Sequence, residues 1–275
     1  MEKRNTALAI GAGCVVLTLI FLLIGFPYDR LESRVVSAIE QTIGGRMGSA
    51  ESERAFGFTG PAFEWRGVRI SVSSESAIEL DRLRIRLAWS SSWLRLSPAF
   101  YVELEGRGGN AAGVVSLGSR PGFDGRLERF DLAMLPADWS LAGVTVRGLA
   151  DVDLDVTGGE QWMGDLKLSV TGGSLSGKQF RSGMPFNELT GELRLAGDHR
   201  TEITSLHLAS PLLQLDISGS IGPAVDPGEA PLDLAVELDA DVRAMALLRG
   251  FGIRLDKKGP QSLTVSGTVD APKVR

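Results

Sequence analysis

Asp151, Asp153 and Asp155, with Glu160 beyond them, are the residues of this chain whose spacing most invites chemistry, because carboxylates at alternate positions occur in calcium-binding loops. The loop pattern then fails. Its sixth position is Val156, where the sharp turn needs glycine, and its twelfth is Trp162, where a bidentate glutamate belongs. The aspartates therefore read as the solvated face of a strand. His199 and His207 are the two histidines, and their spacing is not that of a helix-borne zinc pair, so they read as surface or turn residues. The run Gly173, Ser174, Leu175, Ser176, Gly177 resembles a nucleophile elbow, but its centre is a leucine and no hydroxyl stands at the turn. Gly106, Gly108 and Gly109 lack the lysine and the following helix of a phosphate loop and read as hairpin punctuation. Cys14 is the single cysteine, which excludes an intramolecular disulfide and a cysteine-ligated zinc site. No catalytic residue, metal or cofactor is predicted, and the chain reads as a non-enzyme.

The elements that carry these residues begin with a membrane anchor. Residues 7–27 contain no charged side chain and supply the roughly 20 residues a helix needs to cross a bilayer. The spanning residues are Ala7, Leu8, Ile10, Val15, Val16, Leu17, Leu19, Ile20, Phe21, Leu22, Leu23, Ile24 and Phe26. A cleaved signal peptide would have a shorter apolar core and a small-residue site after it, and Cys14 lies too near the start of the run for a lipoprotein signal. Lys3 and Arg4 precede the helix, while Asp29 and Glu32 offset Arg30 and Arg34 after it. The positive-inside bias thus puts the N-terminus in the cytoplasm and the rest outside. Residues 1–28 read as cytoplasmic tip and anchor. Residues 29–45 read as an amphipathic helix, with Leu31, Val35, Ala38, Ile39 and Ile43 on one face and Gly44, Gly45 as the stop. Its polar face is not rich in lysine or arginine, which favours closing the end of a sheet over lying on the membrane surface.

Residues 46–275 form the third unit, and in it the periodicity becomes two. Phe63 and Trp65 alternate with charged residues, the phase slips at Gly67 in the manner of a bulge, and Val68, Ile70 and Val72 follow. Leu83 to Trp89 and Phe100 to Leu104 alternate in the same way. Val144 to Val156 keeps one phase opposite Arg147, Asp151, Asp153 and Asp155, predicting one long or bent strand. Only residues 132–139 and 241–251 predict short helices. The pattern predicts an antiparallel sheet of about 12 strands joined by short turns. A composition of 43% apolar residues, 34 glycines and 7% aromatics suits such a fold and excludes disorder. A net charge of −5 removes the electrostatic drive for nucleic acid. Periodicity alone leaves open a sandwich, a barrel or a half-open groove.

The order of these features resembles the type II secretion system protein N family and, more loosely, AsmA-like proteins. The resemblance rests on the anchor and its exit at Phe26, Pro27 and Tyr28, and on LDRLRIRL from Leu80. It also rests on FNELTGEL from Phe186, LHLASP from Leu206 and LTVSGTVDAPK from Leu263. It covers nearly the whole chain through permissive patterns of leucine, glycine and proline.

What the resemblance implies is a mainly β protein of the Gram-negative inner membrane, single-pass, with a periplasmic β domain and a structural or accessory role in type II secretion beside other envelope proteins. The AsmA-like kinship implies a strongly curved sheet forming a half-open groove that carries phospholipid. Leu154, Leu166, Leu168, Leu193, Leu195, Leu215, Ile217, Leu234 and Val236 would line it. About 12 strands would give a trough of roughly 55–60 Å. Trp89 and Trp93, beside Arg95, read as caps of the sheet or contacts to lipid headgroups, and a polysaccharide binder ranks last.

Overall fold

The computed structural model describes residues 33, 36–37, 40, 46–49, 51–57, 60–71, 77–88, 99–117, 120–134, 144–159, 161–177, 180–224, 227–250 and 259–275. A single antiparallel sheet of 15 strands dominates them. Its strands are β1 (Arg46–Gly48), β2 (Glu51–Gly57), β3 (Gly60–Ser71), β4 (Ala77–Leu87), β5 (Ala99–Gly106), β6 (Gly109–Ser116), β7 (Gly122–Asp131) and β8 (Val144–Thr157). They continue as β9 (Met163–Gly177), β10 (Phe180–Leu195), β11 (Thr201–Ala209), β12 (Leu213–Ile221), β13 (Pro231–Ala240), β14 (Gly259–Thr268) and β15 (Pro272–Val274). A helix, α1 (Val242–Gly250), lies between β13 and β14.

From β3 onward every strand pairs with the next in sequence, while β1 and β2 both lie on the free edge of β3. Connections as short as Arg107 and Gly108 between β5 and β6 permit only antiparallel neighbours. The path is open, because no described strand joins β15 back to β1 or β2. Among the described residues the sheet is thus neither a closed barrel nor a pair of sheets.

The expectation of about 12 strands was too low. Part of the difference is one interrupted edge strand: Arg46 faces Ser71, Gly48 faces Arg69 and Glu51 faces Arg66, which is a single register across β1 and β2. The short β15 adds another. The third source is β6 and β7, whose alternation is weak because Gly113 and Gly125 stand where large apolar residues would mark the pattern.

At Gly67 the finding corrects the expected bulge. Arg66 faces Arg82 and Val68 faces Leu80, so the register is unchanged across the slip. Both strands switch phase together, which keeps Trp65, Val68, Leu83 and Leu80 in one apolar cluster. Register shifts do occur where β7 meets β8, β8 meets β9, β9 meets β10, β10 meets β11, and β11 meets β12. At the first of these Arg129 adopts a φ of 52°, and its freed N–H donates to Asp151 Oδ1 at 2.9 Å.

The two ends of the sheet are finished differently. Ser33, Val36, Ser37 and Glu40 are helical; Val36 packs on the β3 to β5 cluster, and Glu40 Oε1 accepts the edge N–H of Met47 at 3.0 Å. These contacts sit at the sheet end, where the amphipathic segment is expected. At the opposite end β15 pairs with only part of β14, and Pro260 and Pro272 offer no N–H to an incoming strand. The anchor residues 7–27 and the tryptophans at 89 and 93 lie outside the described residues. Among those described, no helix is long and apolar enough to cross a membrane.

Of the two expected short helices, 241–251 becomes α1. Asp241 Oδ1 accepts the N–H groups of Arg243 and Ala244, both at 2.8 Å, as an N-cap does. Replacing Asp241 with alanine is expected to lower stability by about 1 kcal/mol, measured by urea unfolding. The segment 132–139 opens with a 3-10 turn, Leu132–Met134, and its remainder lies outside the described residues.

Candidate functional site

The alternating pattern places nearly all the large apolar side chains on one face, and the strand register assembles them into rows running across the strands. One row reads Phe63, Ile85, Val102, Gly113, Gly125, Leu154, Leu166, Leu193, Ile203, Gly219, Leu234, Val265. The adjacent row reads Trp65, Leu83, Leu104, Ala111, Leu127, Val152, Leu168, Gly191, Leu206, Ile217, Val236, Leu263. Neither contains a polar side chain. Each crosses β3 through β14, a path of roughly 50 Å at the usual spacing between strands.

Coverage of this face is uneven. Around β3 to β5, Trp65, Val68 and Leu83 are at most 2% exposed and form one packed cluster. A larger cluster spans β8 through β14 and includes Ala244, Met245 and Leu248 of α1. All nine residues expected to line a groove fall on this face. Leu168, Leu215, Ile217, Leu234 and Val236 pack into the larger cluster. Leu154, Leu166, Leu193 and Leu195 belong to neither cluster and stay half-buried. Three of these four are directly opposed on β8, β9 and β10, forming an aliphatic strip that the chain itself only partly shields from water.

The other face carries charges, and the same register pairs them. Arg82 meets Glu105, Arg84 meets Glu103 at 3.5 Å, Lys167 meets Glu192 at 3.0 Å, and Arg194 meets Asp165 at 2.9 Å. Arg86 stacks over Tyr101 at 4.0 Å. Such pairs, exposed between β9 and β10 and part-buried between β4 and β5, penalise any slip of register that would bring like charges together, and the exposed ones stabilise only weakly one by one. Asp153 joins this lattice by pairing with Arg126 at 3.5 Å, so the three aspartates do lie on a strand's polar face. His207 Nδ1 is 2.7 Å from Asp216 Oδ1, and His199 stands in the turn before β11 with a φ of 62°. The Gly173 to Gly177 run lies inside β9, not at a strand-to-helix turn.

A concavity of about 590 Å³ also opens on the polar face, with Tyr101, Asp124, Arg126, Asp153, Asp165 and Lys167 around it and Gly113 and Gly125 beneath. No family model, curated protein or solved structure matches the chain. Asp124, Asp155 and Asp165 sit side by side across β7, β8 and β9 at this concavity. No group of three or more His, Cys, Asp or Glu among the described residues is arranged to hold a metal ion.

The roles of two residues escaped sequence reasoning. Phe123 lies on the apolar face, and its ring is the nearest side chain to Gly113 and Gly125. Asp151 holds the β7 bulge. The first was hidden because cross-strand partners cannot be read from one strand; the second, because a bulge leaves no mark on the alternation of β8.

Proposed function

We propose that the apolar face of this sheet holds the acyl chains of phospholipid, in a membrane-anchored protein of the cell envelope. The observation that carries this reading is the strip of Leu154, Leu166 and Leu193, half-buried on a face whose two central rows contain no polar side chain. Hydrocarbon is the ligand for which such a surface has the right chemistry. Exposed aliphatic area of this kind is unfavourable in water by about 25 cal/mol per Å², and a linear chain laid along the rows would remove it without leaving a polar group unpaired. The curvature that would turn the sheet into a half-open groove belongs to the same proposal.

The test uses the full chain in its native membrane with a photoreactive amino acid at single sites. Phospholipid adducts are expected at Leu166 and Leu193 and not at Lys167 and Glu192, which neighbour them in sequence but face the other way. A folded protein giving no adduct at the leucine sites would remove this reading.

A second reading, a structural component of type II secretion, has its own support in the fixed charge lattice of β2 to β5. Glu53, Arg66, Arg82, Glu105, Arg84 and Glu103 present there a patterned polar surface of the kind that selects a protein partner. Loss of folded-protein export on deletion of the chain is the result expected under that reading, and unchanged export with an intact apparatus would count against it.

A further inference from the structure

We propose that Phe123 is the gate of the apolar face: its ring fills the bare backbone slot at Gly113 and Gly125, and its displacement joins the two halves of the face into one track. This rests on the acyl-chain reading above. In the two central rows, two neighbouring strands both lack a side chain only at Gly113 of β6 and Gly125 of β7, which face each other. A Cβ at Gly113 would stand 2.8 Å from Phe123 Cε2, and one at Gly125 would stand 2.5 Å from Phe123 Cζ, so the ring lies where those side chains would be. The slot separates the two packed clusters. Val102 on one side belongs to the β3 to β5 cluster; on the other side the row runs through the Leu154, Leu166 and Leu193 strip before it reaches the larger cluster at Leu234; Phe123 belongs to neither cluster.

An aromatic ring over a glycine is also a common way to stabilise a sheet, and this molecule contains an example for contrast. Phe186 lies over Gly173, its cross-strand partner, and is 2% exposed inside the larger cluster. That ring is locked by its neighbours. Phe123 is only half-buried and belongs to neither packed cluster; Val115 and Val156 stand opposite it on the neighbouring strands and glycine lies beneath the ring, so it is held less tightly than Phe186. With the ring over the glycines, a chain lying along the central row between Val102 and Leu154 meets an aromatic edge. With the ring turned away, it meets flat backbone across roughly 14 Å, three strand spacings.

A pulse of labelled phospholipid precursor in cells making the full chain tests this, with a photoreactive residue at Val102 or at Leu193. The readout is the rate at which label appears at Leu193 relative to Val102. Phe123→Trp, which enlarges the plug, is expected to lower that ratio about fivefold, the change that about 1 kcal/mol of added barrier produces. Phe123→Ala is expected to raise it, and Phe123→Leu, which keeps an apolar filler, is expected to shift it the same way should the alanine variant fold poorly. Adducts at both sites with a ratio unmoved by the variants would overturn the gate and leave the acyl-chain reading standing. Absence of adducts at both sites in the photoreactive proteins that keep Phe123 would overturn both.

Discussion

Trp65→Ala is expected to destabilise the protein by about 4 kcal/mol, the usual range for deleting a large aromatic from a packed core. Trp65 is 2% exposed and stacks on Phe63 with ring centroids 5.9 Å apart. Val68, Leu83 and Ile85 are buried in the same cluster, with Leu80, Phe100 and Leu104 packed against it. This cluster is small and lies apart from the larger one, so the void left by the indole has few neighbours able to close it. A melting temperature lower by about 10 °C follows for a domain of this size. Thermal unfolding followed by circular dichroism measures it, and a loss below about 1 kcal/mol would show that the β3 to β5 cluster contributes little.

The second large effect belongs to a glycine. Gly219 has a φ of 134°, and a Cβ there would overlap the carbonyl oxygen of Asp233 and stand 2.9 Å from Leu234 Cα. Both atoms are backbone of the adjacent strand and cannot swing aside. Gly219→Ala therefore combines an unfavourable backbone conformation with overpacking, and about 3 kcal/mol is expected from the two together. The loss should centre on the pairing of β12 with β13. Hydrogen exchange that rises in β12 and β13 and not in β3 to β5 would locate it; exchange rising uniformly would contradict a local cause.

These two sites were not equally visible in advance. Trp65 sits in a strongly alternating run, and its burial follows from period two alone. Gly219 also sits in a strand, but which backbone its missing side chain would strike depends on the register of β12 against β13. Likewise Leu154, Leu166 and Leu193 were each legible as inward residues, because strand side chains alternate and the polar residues between them are charged. Their standing in one row was not. The phase change at Gly67 was visible as a slip; that β4 slips with it, leaving the pairing intact, depends on two strands at once. Glu40 and Asp151, which satisfy an edge N–H and a bulge N–H, carry no sequence mark, since any exposed carboxylate looks the same until a backbone donor is brought to it.

What the amino-acid order determined by itself is the kind of element and the chemistry of its two faces, because side-chain direction in a strand is a local property repeated every two residues. Tertiary structure alone decided which strands neighbour one another at which register. That placed two glycines opposite each other beneath Phe123 and left three leucines in a half-buried strip. The physical reason is that pairing energy comes from contacts between residues distant in the chain, and a single strand contains no information about its partner's offset.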